Sequence, residues 1–359
     1  MEVAIIGLPQ SGKTTIFNAL TKGHADTTGA SEMHVGVVKV ADPRLDVLAE
    51  MYHTQKIVHA EIKYWDLPGP ESLAKSQGIG GKYLSVLQTA DAFLLVVRTF
   101  TDPAVPDPPD GPDAGRDLSN MLGEIALADL VVLERAVARL DDRIKKAKAA
   151  ERPAMVSQLG AIHAVMQAME GGKPLRRQQL TNSQSALMAT YQLLTSKPVI
   201  VAFNTGETGP EVALDQLAVS KEATAGLGHV SLCGKLEADL ALMSDGEAAE
   251  FRRELGLGES AVSRVVGATY ETLGLVSFLT VGDDEVRAWS VRSGTPAQHA
   301  AGTVHTDFHK GFIRAEVIAY DDLVRCGGIP QGRKEGVLRS EGKTYEVKDG
   351  DVIDFLVNV

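Results

Sequence analysis

The sequence has few features of a secreted, membrane-spanning or zinc-binding protein. Cys233 and Cys326 are its only cysteines, and they form neither a CxxC pair nor a ligand set, so we expect no disulfide framework and no zinc site. The longest apolar runs, such as AFLLVV, fall far short of the ~20 residues that a membrane helix needs. The start, MEVAIIG, lacks the basic region of a signal peptide. These absences predict a cytoplasmic protein with no membrane partner.

Positive charge is also scarce. The chain has 36 Lys and Arg residues against 47 Asp and Glu residues, which gives a formal net charge of −11. This balance argues against a general nucleic-acid coat, although a local basic patch is compatible with it. Hydrophobic residues make up 44% of the 359 residues, enough for two or three packed domains. We therefore expect a multidomain protein that does not bind DNA.

The apolar pattern changes twice along the chain. Strand-like runs alternate with helical segments in the first part and again from residue 198, which predicts a parallel sheet covered by helices. Between them, after a proline-rich stretch at 102–115, apolar residues recur at spacings of three and four. This spacing favours a helical hairpin with a coiled-coil-like seam, either packed in the ordinary way or serving as a docking arm. The seam residues are Leu130, Leu133, Val137, Leu140 and Ile144, then Leu159, Ile162, Met166 and Met169.

The strongest motif is GLPQSGKT at residues 7–14, which fits G-x-x-x-x-G-K-[ST] between a predicted strand and a predicted helix. The alternative is a plain Gly-rich turn. In the motif, backbone N–H groups and the helix N-terminus surround phosphate oxygens. Lys13 would contact the β- and γ-phosphates, and the Thr14 hydroxyl would bind Mg²⁺. The predicted phosphate-binding residues are Leu8, Pro9, Gln10, Ser11, Gly12, Lys13, Thr14 and Thr15.

A second motif, D-x-x-G, follows a predicted strand at Asp66 and Gly69. Asp66 would hold Mg²⁺ directly or through water, and the Gly69 amide would sense the γ-phosphate, so the predicted catalytic set is Lys13, Thr14 and Gly69. Many GTPases next place a glutamine that orients the attacking water, but here the residue is Pro70. Candidates for a further metal ligand in the preceding segment are Thr27, Thr28 and Ser31.

The loop FNTGE at residues 203–207 stands where a guanine-binding protein carries Asn-Lys-x-Asp. Thr205 has no long stem to lie along a base, and Glu207 is one methylene longer than aspartate. Adenine has no amine at position 2 for a carboxylate to accept from, whereas Asn204 and backbone groups could read its edge. We therefore interpret the loop as a base-binding loop whose selectivity for guanine is relaxed. A plain turn is the alternative.

Taken together, these motifs resemble the YchF, or Obg-like ATPase, family over nearly the whole chain. The specific pieces are GLPQSGKTTIFNAL, VGVVKVADPRL, DLPGPES, EIALADLVVLERA, the Asn204-x-x-Glu207 loop and CGKLEADL. The most diagnostic run is C-terminal: EVRAWSV, AAGTVHTDFHKGFIRAEVIAYDDLV and EGKTYEVKDGDVIDFLVNV resemble the ubiquitin-like TGS domain of that family.

The resemblance implies an α/β fold in three parts. They are a P-loop G domain with a parallel-rich sheet (1–117 and 198–275), an inserted α-helical coiled-coil hairpin (118–197) and a ubiquitin-like β-grasp TGS domain (276–359). It also implies ATP preferred over GTP, Mg²⁺, and association with the ribosome or ribosomal RNA through the hairpin and the TGS domain. Its base-contact residues match Asn204, Thr205 and Glu207, and those of a second loop match Cys233, Gly234 and Lys235.

The chain departs from the family pattern near the reacting phosphate. Gln10 replaces an asparagine that helps to bind a monovalent cation, the switch threonine aligns near Ala30, and Pro70 stiffens the D-x-x-G segment. No histidine lies between His59 and His163, where some members use one. We therefore expect a slow ATPase that acts as a switch. The alternatives are a nucleotide-binding adaptor with little hydrolysis and a GTP-specific GTPase.

Overall fold

The computed structural model describes residues 1–23, 33–67, 79, 81–108, 110–207, 212, 214–217, 219–282 and 284–358. Its contacts divide the chain into two compact units. The first unit consists of Met1–Gly36 and Lys63–Val265, and the second unit consists of Val37–Ile62 and Val266–Val359. None of the helices in the described ranges combines the length and the apolar composition that crossing a membrane requires.

The strands and helices alternate through most of the chain, as an α/β fold requires. The strands are β1 (Glu2–Gly7), β2 (His34–Lys39), β3 (Lys56–Val58), β4 (Glu61–Asp66), β5 (Ala92–Arg98), β6 (Val199–Asn204), β7 (Gly228–Leu232), β8 (Leu275–Val281), β9 (Glu285–Arg292), β10 (Phe312–Ala319), β11 (Arg339–Glu341) and β12 (Asp351–Val357). The helices are α1 (Lys13–Leu20), α2 (Arg44–Tyr52), α3 (Gly81–Thr89), α4 (Ala114–Lys146), α5 (Arg152–Glu170), α6 (Asn182–Ala189), α7 (Lys221–Thr224), α8 (Gly234–Ala241), α9 (Asp245–Glu254), α10 (Ala261–Leu273), α11 (Ala297–Val304), α12 (Thr306–Gly311), α13 (Tyr320–Cys326) and α14 (Ile329–Lys334).

The predicted parallel sheet is confirmed, with the strand order β2-β4-β1-β5-β6-β7. β1 pairs in parallel with β4 and β5, and β6 pairs in parallel with β5 and β7. Every residue of β5 and β6 is buried, as expected for central parallel strands covered on both faces. Because parallel strands end at one edge, the loop after β1, Asp66 at the end of β4 and Asn204 at the end of β6 lie on that edge.

The predicted helical hairpin is also confirmed, as α4 and α5. All nine seam residues belong to one apolar cluster between these helices and the chain that follows them. The first half of α4 instead packs on the sheet through Leu118, Met121, Ile125 and Ala128. A single helix of 33 residues therefore joins both apolar clusters.

A buried carboxylate fixes the place where these clusters meet. Asp129 is 1% exposed and accepts hydrogen bonds at 2.7 Å from the backbone N–H groups of both Leu194 and Thr195. Burial raises the pKa of Asp129, and the two N–H donors oppose that rise. Leu194 and Thr195 lie where the chain returns from the hairpin to the sheet. Because Asp129 accepts from their backbone N–H groups, it anchors the end of the hairpin insertion to α4.

We expect Asp129→Ala to lower the free energy of unfolding by about 2–4 kcal/mol, because two buried N–H groups lose their acceptor. Asp129→Asn should cost about half as much, since one acceptor oxygen remains. The matched control is Asp142→Ala on the same helix, where the side chain is 68% exposed, and it should change stability by less than about 0.5 kcal/mol. Urea unfolding measures all three. Equal losses at the two positions would contradict the anchoring role.

The second unit contains a mixed sheet with the order β11-β10-β12-β8-β9-β3. β10 pairs with β12 and β8 with β9 in antiparallel fashion, whereas β8 and β12 are parallel. This confirms the predicted β-rich C-terminal region. Phe312 is buried in one apolar cluster of this unit, and the partly buried Phe308 packs against the same cluster.

One part of the second unit comes from the N-terminal half of the chain. The strand β3 pairs in parallel with β9, and α2 buries Leu45 and Leu48 in the cluster that includes Leu279. The predicted division placed Val37–Ile62 in the first domain, but the contacts place it in the second unit. The physical reason is that the apolar face of α2 covers this sheet. The three-domain division itself stays a prediction.

Candidate active site

The loop between β1 and α1 has the backbone shape that its glycines permit. Gly12 adopts a left-handed φ of 92°, and a Cβ there would lie 2.1 Å from Nδ2 of Asn204. A Cβ on Gly7 would lie 2.4 Å from the carbonyl oxygen of Val96 on β5. Any side chain at these positions would therefore displace the loop. Gly7 and Gly12, the two glycines that the phosphate-loop pattern requires, are thus positions where neighbouring atoms leave no room for a side chain.

Lys13 is buried at the start of α1, where its side chain is 8% exposed. Its Nζ donates to the carbonyl oxygens of Gly7 at 3.2 Å and Leu8 at 2.9 Å. Burial lowers the pKa of Lys13 to about 8, and the charge of Asp66 partly opposes this change. The ammonium group is thus held inside the loop, against the carbonyl groups of its own backbone.

Thr14 and Asp66 meet beside this loop. The Thr14 hydroxyl donates to Oδ2 of Asp66 at 2.7 Å, and Asp66 is only 4% exposed. Burial raises the pKa of Asp66, while the hydrogen bond from Thr14 and the charges of Lys13 and His34 oppose the rise. Oδ1 of Asp66 and Oγ of Ser11 are buried without a hydrogen-bond partner among the described residues.

These oxygen atoms fit Mg²⁺, a hard cation that takes few protein ligands and retains phosphate and water oxygens. The predicted metal residues Thr14 and Asp66 are in contact, and Oδ1 of Asp66 has no hydrogen-bond partner in the part of the chain that the structure describes. No cluster of three or more His, Cys, Asp or Glu side chains that could hold a metal occurs in the described part of the chain. A Mg²⁺ held by Thr14 and Asp66 would also take phosphate and water oxygens as ligands.

Two residues near Asp66 were not found by sequence reasoning. The charge of His34, at the start of β2, lowers the pKa of Asp66. The pKa of Tyr83, on α3, is raised by burial and further by the charge of Asp66. Neither residue belongs to a nucleotide-binding motif. Their closeness to Asp66 follows from the pairing of the strands and the packing of α3, which the sequence does not show.

Asn204, predicted as a base-loop residue, has both ends of its amide engaged with backbone. Nδ2 donates to the carbonyl oxygen of Ser11, and Oδ1 accepts from the N–H of Gly234, both at 2.9 Å. The side chain is 3% exposed. A Cβ on Gly234 would lie 3.0 Å from Oδ1. Asn204 therefore connects the phosphate loop to the start of α8 through the two ends of its amide.

The other predicted base-loop residues lie on two adjacent loops. Glu207 pairs with Lys235 at 3.1 Å, and both side chains are more than half exposed. The N–H of Thr205 donates to the carbonyl oxygen of Leu232 at 2.8 Å, which joins the ends of β6 and β7. Cys233 is buried, and burial raises the pKa of its thiol. The carboxylate in the guanine-reading position thus already has a cation as its partner.

A third loop approaches the base loop because a buried arginine holds it. Arg98, at the end of β5, is 4% exposed and donates to the carbonyl oxygens of Phe100, Val105 and Pro106. This fixes the proline-rich segment. Cβ of Phe100 lies 3.6 Å from the position that a Cβ on Gly206 would occupy. Arg98 thus holds residues 100–106, at the start of the proline-rich stretch, and Phe100 beside the base loop.

Several predicted switch positions lie outside the described residues. They are Gly69, Pro70, Thr27, Thr28, Ala30 and Ser31. Their predicted roles stay predictions.

Comparison with known proteins agrees with this geometry. A family model described as "50S ribosome-binding GTPase" matches residues 2–135. A model of the YchF GTPase C-terminal region, described as "Protein of unknown function (DUF933)", matches residues 275–358. The "Ribosome-binding ATPase YchF" of Bacillus subtilis is 35% identical over 370 residues, which cover 100% of both chains. That of Escherichia coli O157:H7 is 37% identical over 364 residues, or 99% of this chain and 98% of the relative.

The chain belongs to the YchF family. The solved structure of the Schizosaccharomyces pombe YchF GTPase is 28% identical, has a TM-score of 0.83 and covers 99% of this chain and 97% of that one. A GTP-binding protein from Pyrococcus horikoshii OT3, at 19% identity and a TM-score of 0.60 over 100% of both chains, shares the fold. The resemblance to a YchF-type P-loop NTPase and the predicted fold class are thereby confirmed.

Proposed function

We propose that this YchF-family chain hydrolyses ATP slowly at the β–γ bond, in preference to GTP, and acts in the cytoplasm as a ribosome-associated switch. The observation that carries the proposal is the meeting of Lys13, Thr14 and Asp66 at the edge of the parallel sheet. The names of the curated relatives support both the ATPase activity and the ribosome as partner. Pro70, in place of a water-orienting glutamine, supports a slow rate.

The residues of this chain contribute mainly position and charge. Lys13 would exchange the carbonyl oxygens of Gly7 and Leu8 for the β- and γ-phosphates, to which backbone N–H groups also donate. Thr14 and Asp66 would hold Mg²⁺, which neutralises phosphate charge when it is bound. Asn204 supports the phosphate loop through its hydrogen bond to the carbonyl oxygen of Ser11. No described side chain is assigned as a general base, so catalysis is attributed to alignment and electrostatic stabilisation.

The pKa of Lys13 gives a pH dependence to nucleotide binding. With a pKa of about 8, Lys13 is mainly charged at pH 7 and mainly neutral at pH 9. Phosphate stabilises the charged form, so binding takes up a proton above pH 8 and weakens as the pH rises. We expect the Kd for ATP to be about tenfold higher at pH 9 than at pH 7.

Titration with a fluorescent ATP analogue measures this effect. The control is Lys13→Met, which should bind more weakly and show a flat profile between these pH values. A flat profile in the wild-type protein, or an unchanged slope in the variant, would show that Lys13 is not the titrating group.

The preference for ATP rests on the loop at residues 204–207. Guanine recognition needs a carboxylate that accepts from two base N–H groups, but the Glu207 carboxylate is paired with Lys235 at 3.1 Å. A guanine base would have to compete for that carboxylate, whereas adenine makes no such demand. The ion pair is exposed, so we attribute to it a shift in preference rather than an absolute exclusion of GTP.

We expect the double variant Thr205→Lys/Glu207→Asp to raise the affinity for GTP relative to ATP by about tenfold or more, since it restores the stem and the shorter carboxylate of a guanine loop. Competition binding of ATP and GTP with Mg²⁺ measures the ratio. Glu207→Gln is the control, because it removes the carboxylate and should weaken GTP binding further. If wild-type protein already binds GTP tenfold more tightly than ATP, the proposed preference is wrong.

A further inference from the structure

The second unit has a small pocket on one face of its mixed sheet. The pocket lies between β10, β12 and the helix α14, and its volume is about 140 Å³. A single water needs only about 10–15 Å³. All the residues that line the pocket belong to the segment Val266–Val359. The pocket is therefore large enough for a small molecule and is formed within one compact unit.

The floor of this pocket is apolar. Ile318 on β10 and Val352 on β12 are directly opposite each other and are only 1% and 3% exposed. Three partly buried side chains extend the floor, and they are Val281, Ile329 and Leu338. Binding sites for small molecules are lined mainly by such side chains, with a few polar groups that fix the orientation of the ligand. The floor therefore favours a ligand with an apolar part.

Two carboxylates lie beside the floor on the same face of the sheet. Glu316 and Asp354 are opposite each other, two residues along the strands from Ile318 and Val352, and alternate residues of a strand share a face. Like charges in directly opposite positions destabilise a sheet. The fold thus carries an unfavourable pair of charges at the edge of an apolar pocket, where a cationic group of a ligand would relieve the repulsion.

Arginine side chains offset only one of these two carboxylates. Arg333 on α14 donates to Glu316, and Arg314 lies 3.8 Å from the same carboxylate. Within the part of the chain that the structure describes, the carboxylate of Asp354 has neither a hydrogen-bond nor an ion-pair partner. The charged residues that line the pocket are Glu316, Arg333 and Asp354. The pocket therefore combines an apolar floor with one guanidinium group and two carboxylates.

We propose that this pocket binds a free L-α-amino acid with a branched apolar side chain, such as leucine. The ligand side chain would cover the floor, and the α-ammonium group would lie between Asp354 and Glu316. The α-carboxylate would accept from the guanidinium group of Arg333, since arginine binds carboxylates through two parallel N–H groups. The three groups of the ligand then match the three kinds of surface that the pocket offers.

Other classes of ligand leave one of these surfaces unmatched. A phosphate group would meet two carboxylates, which repel it. A lysine side chain or the N-terminus of a peptide would supply the ammonium group but would bring no carboxylate to Arg333. An uncharged apolar molecule would cover Asp354 without giving it a partner, and this costs free energy. A zwitterion with an apolar side chain is therefore the favoured ligand.

Four related compounds test the proposal with the full-length wild-type protein. L-leucine is compared with leucinamide, which lacks the carboxylate, and with 4-methylpentanoate, which lacks the ammonium group. D-leucine has both groups but cannot place them together with its side chain in the same arrangement. Isothermal titration calorimetry at about pH 6.5, below the pKa of about 7.7–8.0 of an α-amino group, measures each Kd. We expect the other three compounds to bind at least about tenfold more weakly than L-leucine.

Substitutions in the pocket identify the groups that bind the ligand. Asp354→Asn and Arg333→Gln should each weaken the binding of L-leucine by at least about tenfold. The matched controls are Asp321→Asn and Lys334→Gln, which remove exposed charges on α13 and α14 outside the pocket, and they should stay within about twofold of wild type. In Arg333→Gln, L-leucine and leucinamide should bind equally, because the group that distinguishes them is absent.

Several results would overturn the proposal. They are the absence of saturable binding of L-leucine up to about 10 mM, equal binding of L- and D-leucine, and unchanged binding in Asp354→Asn. If leucinamide binds wild type as tightly as L-leucine does, the pocket accepts the N-terminus of a peptide, which contradicts a free amino acid as the ligand. Thermal unfolding checks that each variant is folded, and the comparison of the four compounds on wild type does not depend on any variant.

Discussion

Replacing Asn204 with alanine is expected to lower the free energy of unfolding of the first unit by about 2–4 kcal/mol, because two buried hydrogen bonds are lost together. Its amide bonds the carbonyl oxygen of Ser11 and the N–H of Gly234, and the side chain is 3% exposed. Water cannot readily replace it at a buried site. The same change should weaken ATP binding by about 10- to 100-fold, since the phosphate loop loses its support.

Urea unfolding and ATP titration measure the two effects. The matched control is Thr99→Val. The Thr99 hydroxyl donates to the carbonyl oxygen of Asn204 at 2.9 Å, and the backbone N–H of Thr99 donates to the same atom. Because the backbone hydrogen bond remains in Thr99→Val, this substitution should lower the free energy of unfolding by less than about 1 kcal/mol. Normal ATP affinity in Asn204→Ala would show that the phosphate loop does not depend on this contact.

Lys13→Ala is expected to reduce ATP turnover by at least about 100-fold while leaving the fold intact, because one buried cation serves the developing phosphate charge. Among the described residues, the hydrogen bonds of its Nζ go to the carbonyl oxygens of Gly7 and Leu8. Burial also disfavours its charged form, as its lowered pKa indicates. Lys13→Ala should therefore change the free energy of unfolding little, although it strongly lowers the rate of ATP hydrolysis.

Single-turnover hydrolysis of ATP measures the rate, and thermal unfolding monitors the fold. Lys22→Ala is the control, since this lysine follows the same helix but is 57% exposed and pairs with Asp245 at the surface. It should turn over at the wild-type rate. Comparable rates in Lys13→Ala and wild type would mean that the measured activity comes from another site or from a contaminant.

Local patterns were sufficient for the phosphate loop, the helix seam and most strands. The glycines, Lys13 and Thr14 act through backbone shape and neighbouring atoms, so their spacing predicts their arrangement. The placing of Asp66 follows from the rule that parallel strands end at one edge. The seam follows from helical periodicity, since the same residues must face the second helix.

Long-range contacts could not be predicted in the same way. Asn204 is 193 residues from Ser11 in sequence, and nothing in FNTGE shows that its amide supports the phosphate loop. The apolar face of α2 predicts a buried helix, but it does not say which sheet the helix covers. For that reason the assignment of Val37–Ile62 to the second unit required the structure.

The most direct test of the proposed function is phosphate release from ATP and from GTP, measured side by side with Mg²⁺ for wild type and Lys13→Ala. We predict faster release from ATP than from GTP, and no release from either nucleotide above background in the variant. Faster release from GTP would contradict the interpretation of Glu207 and Lys235. Absence of turnover with both nucleotides, even with ribosomes added, would contradict the ATPase proposal and identify the chain as a nucleotide-binding adaptor.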